Sequence, residues 1–227
     1  FSRLDSKRLP RKAFSLIDGK FLLQRVIDRA KKINGIDKLI LATSDREIDK
    51  GIIKLAKKNK IDFFAGNLND VALRAYNTCK KYNIDSFVRI CGDRPFFDPV
   101  LISKLLLQHI KSDFDITTTM FPKTLPAGLT IEILNFKALK KIIKLNNDLS
   151  SREHITQFIY KNPQKFKLNN YNEKRFENYK DLRFVIDNYD DLERTKWVLN
   201  KLKLNNKSEY DIMEIIRLTK EWNKLKI

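Results

Sequence analysis

The sequence predicts an α/β protein built on a mainly parallel, partly mixed sheet with helices on both faces. Three observations carry that expectation. Apolar runs of strand length alternate with amphipathic stretches of helix length from position 19 to position 111, and parallel neighbours need crossover connections of the kind such helices supply. Carboxylates stand where two apolar runs end, at Asp93 and Asp187, and in open α/β sheets ligands gather outside the carboxyl ends of strands. At 227 residues the chain can bury one sizeable core and reads as a single domain over 1–227.

Across 19–33 the apolar residues Leu22, Leu23, Val26, Ile27, Ala30 and Ile33 recur at three- and four-residue steps, while Gln24, Arg25, Asp28, Arg29, Lys31 and Lys32 fill the opposite face. This spacing predicts an amphipathic helix, ended by Asn34-Gly35. Positions 38–43 read as a buried strand, after which Ser44-Asp45 is placed to cap a helix through Lys60. A short strand at 61–64, a helix capped by Asn69 or Asp70 and ending at Tyr82, a strand at 85–91 and a helix at 99–111 repeat the rhythm. After a strand at 115–119 the rhythm changes and the sheet is expected to become mixed. Positions 128–134 alternate as a strand does, 136–145 is helical, and Ser150 or Ser151 caps a helix through Tyr160. A strand at 182–186, a helix at 190–202 and an amphipathic helix at 209–223 complete the chain. Phe1 already reads as part of a loop following a strand, so a further N-terminal strand ahead of it is expected.

The composition is 42% hydrophobic and 33% charged, which argues against disorder, and no apolar run approaches the roughly 20 residues a membrane span requires. No secretory signal is visible and the cytoplasm is the expected compartment. Cys79 and Cys91 have neither disulfide nor zinc spacing and are expected as buried thiols; His109 and His154 are too few and too far apart for a histidine-rich metal centre. Lys plus Arg number 46 against 28 Asp plus Glu, a net charge of +18, which attracts nucleic acid, acidic membranes or phosphorylated metabolites. The doublets Lys31-Lys32, Lys57-Lys58, Lys80-Lys81 and Lys140-Lys141 fall on the polar faces of separate helices. That dispersion favours solvated helix faces over a nucleic-acid surface.

Two segments carry chemistry. Positions 2–12 hold the five cations Arg3, Lys7, Arg8, Arg11 and Lys12, a composition suited to a polyphosphate, although it also fits an ordinary basic loop. Asp93, in Cys91-Gly92-Asp93-Arg94-Pro95, stands where a buried strand ends and a loop begins, a good place for a metal ligand, and Asp187 stands at the end of another strand pattern. The plainer alternatives are a turn residue for Asp93 and a helix cap for Asp187. Arg74 lies four residues after Asp70, with which it can pair on a helix surface.

The opening segment, Ala42-Thr43-Ser44-Asp45, Asp70-Val71 with Arg74, Gly92-Asp93 with Pro95, and Asp187 with Asp190-Asp191-Leu192-Glu193 occur in the order found in sugar-acid cytidylyltransferases. From Ser2 to about Leu199 the chain resembles the spore-coat polysaccharide type, a group related to the acylneuraminate and 3-deoxy-manno-octulosonate cytidylyltransferases. Arg152-Glu153-His154-Ile155-Thr156 and Tyr160-Lys161-Asn162-Pro163 are similar to a further segment of that group. The resemblance implies a nucleotide-diphospho-sugar transferase-like, Rossmann-like fold. It implies transfer of CMP from CTP to a nonulosonic or octulosonic acid with release of pyrophosphate, for surface polysaccharide or glycan synthesis. It also implies Mg²⁺ at Asp93 and Asp187, a nucleotide site formed by Arg3, Ser6, Arg8, Lys12, Ser44, Asp45, Arg74 and Gly92, and an acidic-sugar site at Glu132, Arg152 and His154. Arg8 and Lys12 would face the leaving pyrophosphate. Relatives suggest a homodimer built through a sugar-binding or dimerisation extension at about 121–165.

The chain departs from the pattern at several places. Asp5 stands where the family generally has glycine, bringing a like charge toward the triphosphate. Ala127 and Thr130 replace acidic residues, and Asn188-Tyr189 replaces Thr-Pro after the second metal aspartate. Two other readings therefore stand beside the enzyme: a degenerate homologue that binds nucleotide or a partner without turnover, and a basic nucleic-acid-binding protein.

Overall fold

Helix α1 (Leu22–Ala30) shows why the periodicity is informative, because Leu22, Leu23, Val26, Ile27 and Ala30 all turn into the main core. The computed structural model describes residues 1–225. A small antiparallel hairpin, β1 (Leu16–Ile17) and β2 (Lys20–Phe21), precedes α1. Strand β3 (Ile40–Ser44), helix α2 (Lys50–Lys58) and strand β4 (Asp62–Gly66) form a βαβ unit with parallel pairing, Ile40 opposite Asp62 and Ser44 opposite Gly66. Helix α3 (Val71–Tyr82), strand β5 (Ser86–Val88), helix α4 (Pro99–Ile110), strand β6 (Ile116–Thr118), strand β7 (Glu132–Asn135) and helix α5 (Phe136–Leu145) follow. The short helices α6 (Leu149–Arg152) and α7 (Gln157–Lys161) lead into strand β8 (Leu168–Asn170), and helices α8 (Tyr189–Leu204) and α9 (Ile212–Leu225) complete the described chain.

The second sheet has the order β5-β7-β6-β8, with antiparallel pairs around β7 and a parallel β6–β8 pair, so it is mixed as expected. Phe1 and Ser2 stand between the two sheets. Ser2 donates its N–H to Ala42 O at 3.1 Å, Gly92 donates to Phe1 O at 2.8 Å, and the Phe1 ammonium donates to Ile90 O at 2.8 Å. Alongside these two residues the seam between β3 and β5 opens into a cavity of about 480 Å³, walled by α1 and α4 and lined by Val26, Ile27, Leu41, Phe87, Val88 and Leu106. Burial lowers the pKa of the Phe1 amine to about 6.

Caps explain several element boundaries. Asp70 accepts from Leu73 N–H at 2.8 Å and starts α3, whereas Asn83, in left-handed backbone, stops it. Asp98 caps α4, with Pro99 at its first turn. Ser44 and Asp45 do not cap α2: a 3₁₀ turn at Glu47–Asp49 intervenes, and the side chain of Ser44 is held by Asp49 and Arg46. The expected continuous helix through Tyr160 is broken into α6 and α7, and α6 is capped by Asp148 instead of a serine. Ser151 is instead buried against Asn146. Positions 182–186 form no ladder strand, because Phe184 N–H bonds to Ala127 O while Ile186 N–H bonds to Asp93 O, dividing the segment between two neighbours. Arg25 and Arg29, which periodicity places on the exposed face of α1, are buried because the segment at 209–210 covers them; Arg29 donates to Phe97 O and Glu209 O.

Candidate active site

Three distant parts of the chain meet at Lys12. Leu4 O accepts from Arg11 N–H at 3.1 Å, which closes positions 4–11 into a loop. Lys12 then begins a 3₁₀ turn and directs its side chain inward. Its Nζ lies 2.7 Å from Asp93 Oδ2, 3.0 Å from Asp187 Oδ1 and 3.1 Å from Ile186 O. Asp93 is carried past the end of β5. Asp187 follows the extended segment that Asp93 O itself anchors through Ile186 N–H at 2.9 Å.

Asp187 also meets Arg8 at 3.1 Å and Arg183, while its backbone N–H is fixed by Asp191 at 2.9 Å. Burial pushes the Asp187 carboxyl up. The hydrogen bond and charge of Lys12, then Arg8 and Arg183, outweigh that effect and hold it below its ordinary value. Burial likewise lowers the Lys12 ammonium, and Asp93 and Asp187 more than offset it, leaving Lys12 raised. The helix cap expected as the alternative role of Asp187 belongs to its neighbour: Asn188 accepts from Asp191 N–H at 2.9 Å. Asn188 thus performs the task of the expected threonine, since both side chains cap well.

Glycine is required beside this site. A Cβ at Gly92 would lie 2.8 Å from Ser2 Oγ, and one at Gly128, whose φ is +95°, would lie 2.6 Å from the Phe184 carbonyl carbon. Gly92 therefore lets the N-terminal segment approach, and Gly128 seats the segment that leads to Asp187.

A second cluster adjoins the loop. Arg46 donates to Asp5 Oδ2 at 2.7 Å, Asp49 Oδ2 at 2.9 Å and Ser44 Oγ at 3.0 Å, and Asp49 in turn accepts from Leu4 N–H at 2.7 Å. The hydrogen bond from Arg46, reinforced by Arg3, holds the Asp5 carboxyl below its ordinary range despite partial desolvation. The negative charge that Asp5 introduces is thus paired within the protein. Arg46 was not read from the sequence, although its signal was present: an unexpected anion in a basic loop calls for a cation nearby. Asp45 sits exposed at the end of β3, with its N–H on Gly66 O. Ser6 Oγ accepts from Leu9 N–H at 3.4 Å and shapes the loop turn.

Arg74 is buried and does not pair with Asp70. It donates to Asn67 O at 2.8 Å and lies over the Phe1 ring at 5.9 Å, and burial lowers its pKa to about 10. Its charged neighbours are Arg3, Asp49, Asp45 and Arg46, which places it beside the second cluster. Asp70 pairs instead with Arg152 at 2.8 Å, and Arg3 pairs with Glu153 at 3.0 Å, so the α6 turn is tied both to α3 and to the loop. His154 is exposed.

Glu132 is buried and fully engaged. Arg89 grips its carboxylate, and Tyr160, which shares its hydroxyl with Thr118, donates to it at 2.8 Å. Burial raises the Glu132 carboxyl, but Arg89, Thr156 and Tyr160 bring it below its ordinary value. Its position is that of an internal ion pair under the site. Thr130, which stands where an acid was expected, accepts from Arg94 at 3.0 Å.

The donor set suits a hard divalent ion. Two carboxylate oxygens already converge on one point within 3.0 Å, beside a backbone carbonyl, and Mg²⁺ needs only one or two carboxylates when substrate phosphates and water complete its shell. Among the described residues no cluster of three or more His, Cys, Asp or Glu offers a self-sufficient metal cage. Cys79 and Cys91 are free; Cys79 is buried as expected, which pushes its thiol up to about 12, whereas Cys91, also expected buried, is only half-buried past the end of β5. No described helix is long and apolar enough to cross a membrane.

Comparison with known proteins agrees with this architecture. The chain is 25% identical to a spore coat polysaccharide biosynthesis protein of Bacillus subtilis over 205 residues, covering 88% of this chain and 84% of that one. It is 34% identical to a 3-deoxy-manno-octulosonate cytidylyltransferase of Rickettsia bellii over 121 residues, about half of each chain (52% and 48%). A solved cytidylyltransferase from Leptospira borgpetersenii superposes with a TM-score of 0.89 at 26% identity, covering 97% of this chain and 92% of that one. The cytidylyltransferase family model matches residues 1–215. The chain, from its cationic loop to its last helix, belongs to the cytidylyltransferase family.

Proposed function

We propose that the protein transfers CMP from CTP to a hydroxyl of a carboxylate-bearing sugar, releasing pyrophosphate, with Mg²⁺ held by Asp93 and Asp187. The observation that carries this reading is the convergence of those two carboxylates on a single point at the foot of a cationic loop. Family membership and the spore-coat and octulosonate relatives support the donor nucleotide and a polysaccharide destination. A reaction that consumes CTP fits a cytoplasmic location.

In the reaction the acceptor oxygen forms a bond to the α-phosphorus, the α–β phosphoanhydride bond breaks, and pyrophosphate leaves with the electron pair; the hydroxyl proton passes to solvent. Such transfers demand positioning and neutralisation of phosphate charge more than covalent assistance. Arg8 and Lys12, the cations of the loop that already meet Asp93 and Asp187, suit the leaving pyrophosphate. The metal, when bound, supplies further neutralisation of the phosphate oxygens. Arg74 and the Ser44–Arg46 cluster flank the nucleoside side. For the acceptor this reading assigns Arg152 and Arg3, tied to Asp70 and Glu153, because an arginine fork suits a sugar carboxylate.

Pyrophosphate release from CTP with a panel of sugar acids tests the reading. We expect turnover with at least one octulosonic or nonulosonic acid, and Asp93→Ala to lower it by about 10²–10³-fold, the scale of losing one preorganised electrostatic contact. CTP binding without turnover by any such acid would instead select the degenerate homologue.

A further inference from the structure

We propose that Lys12 is the resident counter-ion of the Asp93–Asp187 pair and has to leave it before a divalent ion can enter, so that metal entry and the release of Lys12 toward phosphate are one exchange. The inference rests on the reading of Asp93 and Asp187 as metal ligands and concerns the role of Lys12 beside them.

The geometry is that of an ammonium in a built seat. Nζ has three protons, and three oxygens surround it at 2.7, 3.0 and 3.1 Å: Asp93 Oδ2, Asp187 Oδ1 and Ile186 O. The side chain is only 16% exposed and the two carboxylates are 22% and 17% exposed, so water does little to screen the trio. A magnesium ion takes its oxygens at roughly 2.0–2.1 Å, and it cannot do so at these two carboxylates while an ammonium lies between them. Charge points the same way. The two carboxylates carry −2, and Lys12, Arg8 and Arg183, all within 3.1 Å of one or both, carry +3. Arg8 and Arg183 are 66% and 44% exposed and Arg183 is shared with Asp191, so Lys12, the least exposed of the three cations, is the one whose charge most offsets the pair and whose departure most favours a divalent ion.

Lysine is the residue that permits the exchange. Its charge sits on a flexible four-carbon stem, whereas a guanidinium fork would lock onto both carboxylates. The backbone at Lys12 is fixed, through Lys12 N–H on Leu9 O at 3.2 Å and the 3₁₀ turn that follows. The tip can therefore swing without disturbing the loop. A polyphosphate delivered by the nucleotide gives the displaced ammonium a new anion, which makes nucleotide and metal help each other into the site.

Two measurements on the full chain test this. The first is Mn²⁺ affinity without nucleotide, read by the spin-resonance signal of free Mn²⁺, for the wild type, Lys12→Met and Asp93→Asn. The exchange predicts that Lys12→Met binds Mn²⁺ at least tenfold more tightly than the wild type, and that Asp93→Asn weakens binding. The second uses only the wild type with ¹⁵N-labelled lysine: the Lys12 Nζ resonance, protected by its three acceptors, should shift or broaden away as Mg²⁺ is added and settle at a new position with CTP present. Equal Mn²⁺ affinity in the wild type and Lys12→Met, with Asp93→Asn impaired, would overturn the exchange and leave the metal pair standing. A Lys12 signal unmoved at saturating Mg²⁺ does the same even if Lys12→Met fails to fold. No Mn²⁺ binding by either the wild type or Lys12→Met would overturn both the exchange and the metal reading.

Discussion

Asp5 puts an anion into a loop whose task is to receive another anion, and Arg46 answers it at 2.7 Å. The two are 41 residues apart, so neither helical nor strand spacing connects them. Arg46 is held from the other side by Ser44 and Asp49, which aims its remaining nitrogen at the loop. A double-mutant cycle on CTP affinity isolates the pairing. Arg46→Ala should weaken CTP binding several-fold when Asp5 is present and by clearly less in the Asp5→Gly background. Because the partners are 30% and 33% exposed, screening keeps the expected coupling near 1 kcal/mol. Equal penalties in the two backgrounds, by calorimetric titration, would show that Asp5 needs no such partner. The same reasoning marks what was legible at this scale. Asp93, Asp187, Lys12 and Arg8 announce themselves by standing after apolar runs or inside a cationic loop. Arg46, Arg89 and Arg183 do not, because an arginine among 46 cations gains meaning only from a partner that the fold brings to it. Glu132 shows the reverse: its position in the motif was readable, but the buried Arg89 that occupies it was not.

Among the elements, α8 matters most to the site because its first turn holds Asp187. Asn188 caps the helix, Asp191 returns a hydrogen bond to Asp187 N–H, and Arg194 and Arg183 flank Asp191. Asn188→Ala is expected to cost about 1 kcal/mol, a fall in melting temperature of about 2–4 °C for a chain of this size; Asn188→Thr should restore most of it. A thermal melt in which alanine and threonine behave alike would remove the cap from the account. Long helices were legible because one apolar face recurs every three or four residues, as at α1, α3 and α5. The short strands β1, β2 and β8 were not, since two or three residues cannot display a period. The break between α6 and α7 escaped notice for a different reason: its cause is tertiary, with Arg152 drawn to Asp70 and Glu153 to Arg3.

For the molecule as a whole, the seam between β3 and β5 is the weak place. Among the described residues Phe1 and Ser2 bridge the two sheets there by backbone hydrogen bonds, and about 480 Å³ stands open along apolar walls. Such a cavity withholds packing that the core would otherwise have. A version of the protein carrying five Val- and Ile-rich residues ahead of Phe1 has an amide at that buried nitrogen and offers the seam a strand. The melting temperature should rise by about 5 °C or more, corresponding to roughly 2 kcal/mol; no rise would mean that the seam does not accept extended backbone. The dispersed surface charge fits this picture of a metabolite enzyme. Lys31-Lys32 just past α1, Lys57-Lys58 on α2 and Lys80-Lys81 on α3 are all exposed, and several lysines lie over aromatic rings, as Lys140 does over Phe136 at 4.7 Å.

Lys12 meets Asp93 across 81 residues and Asp187 across 175. A chain emerging from the ribosome therefore displays its cationic loop and its first carboxylate long before the second has been synthesised. Bringing such remote positions together is slow, because the entropy of closing so long a loop is lost before the contact rewards it. Helices form early and locally, and the Lys12–Asp93–Asp187 cluster is completed only when the segment carrying Asp187 folds back against the cationic loop.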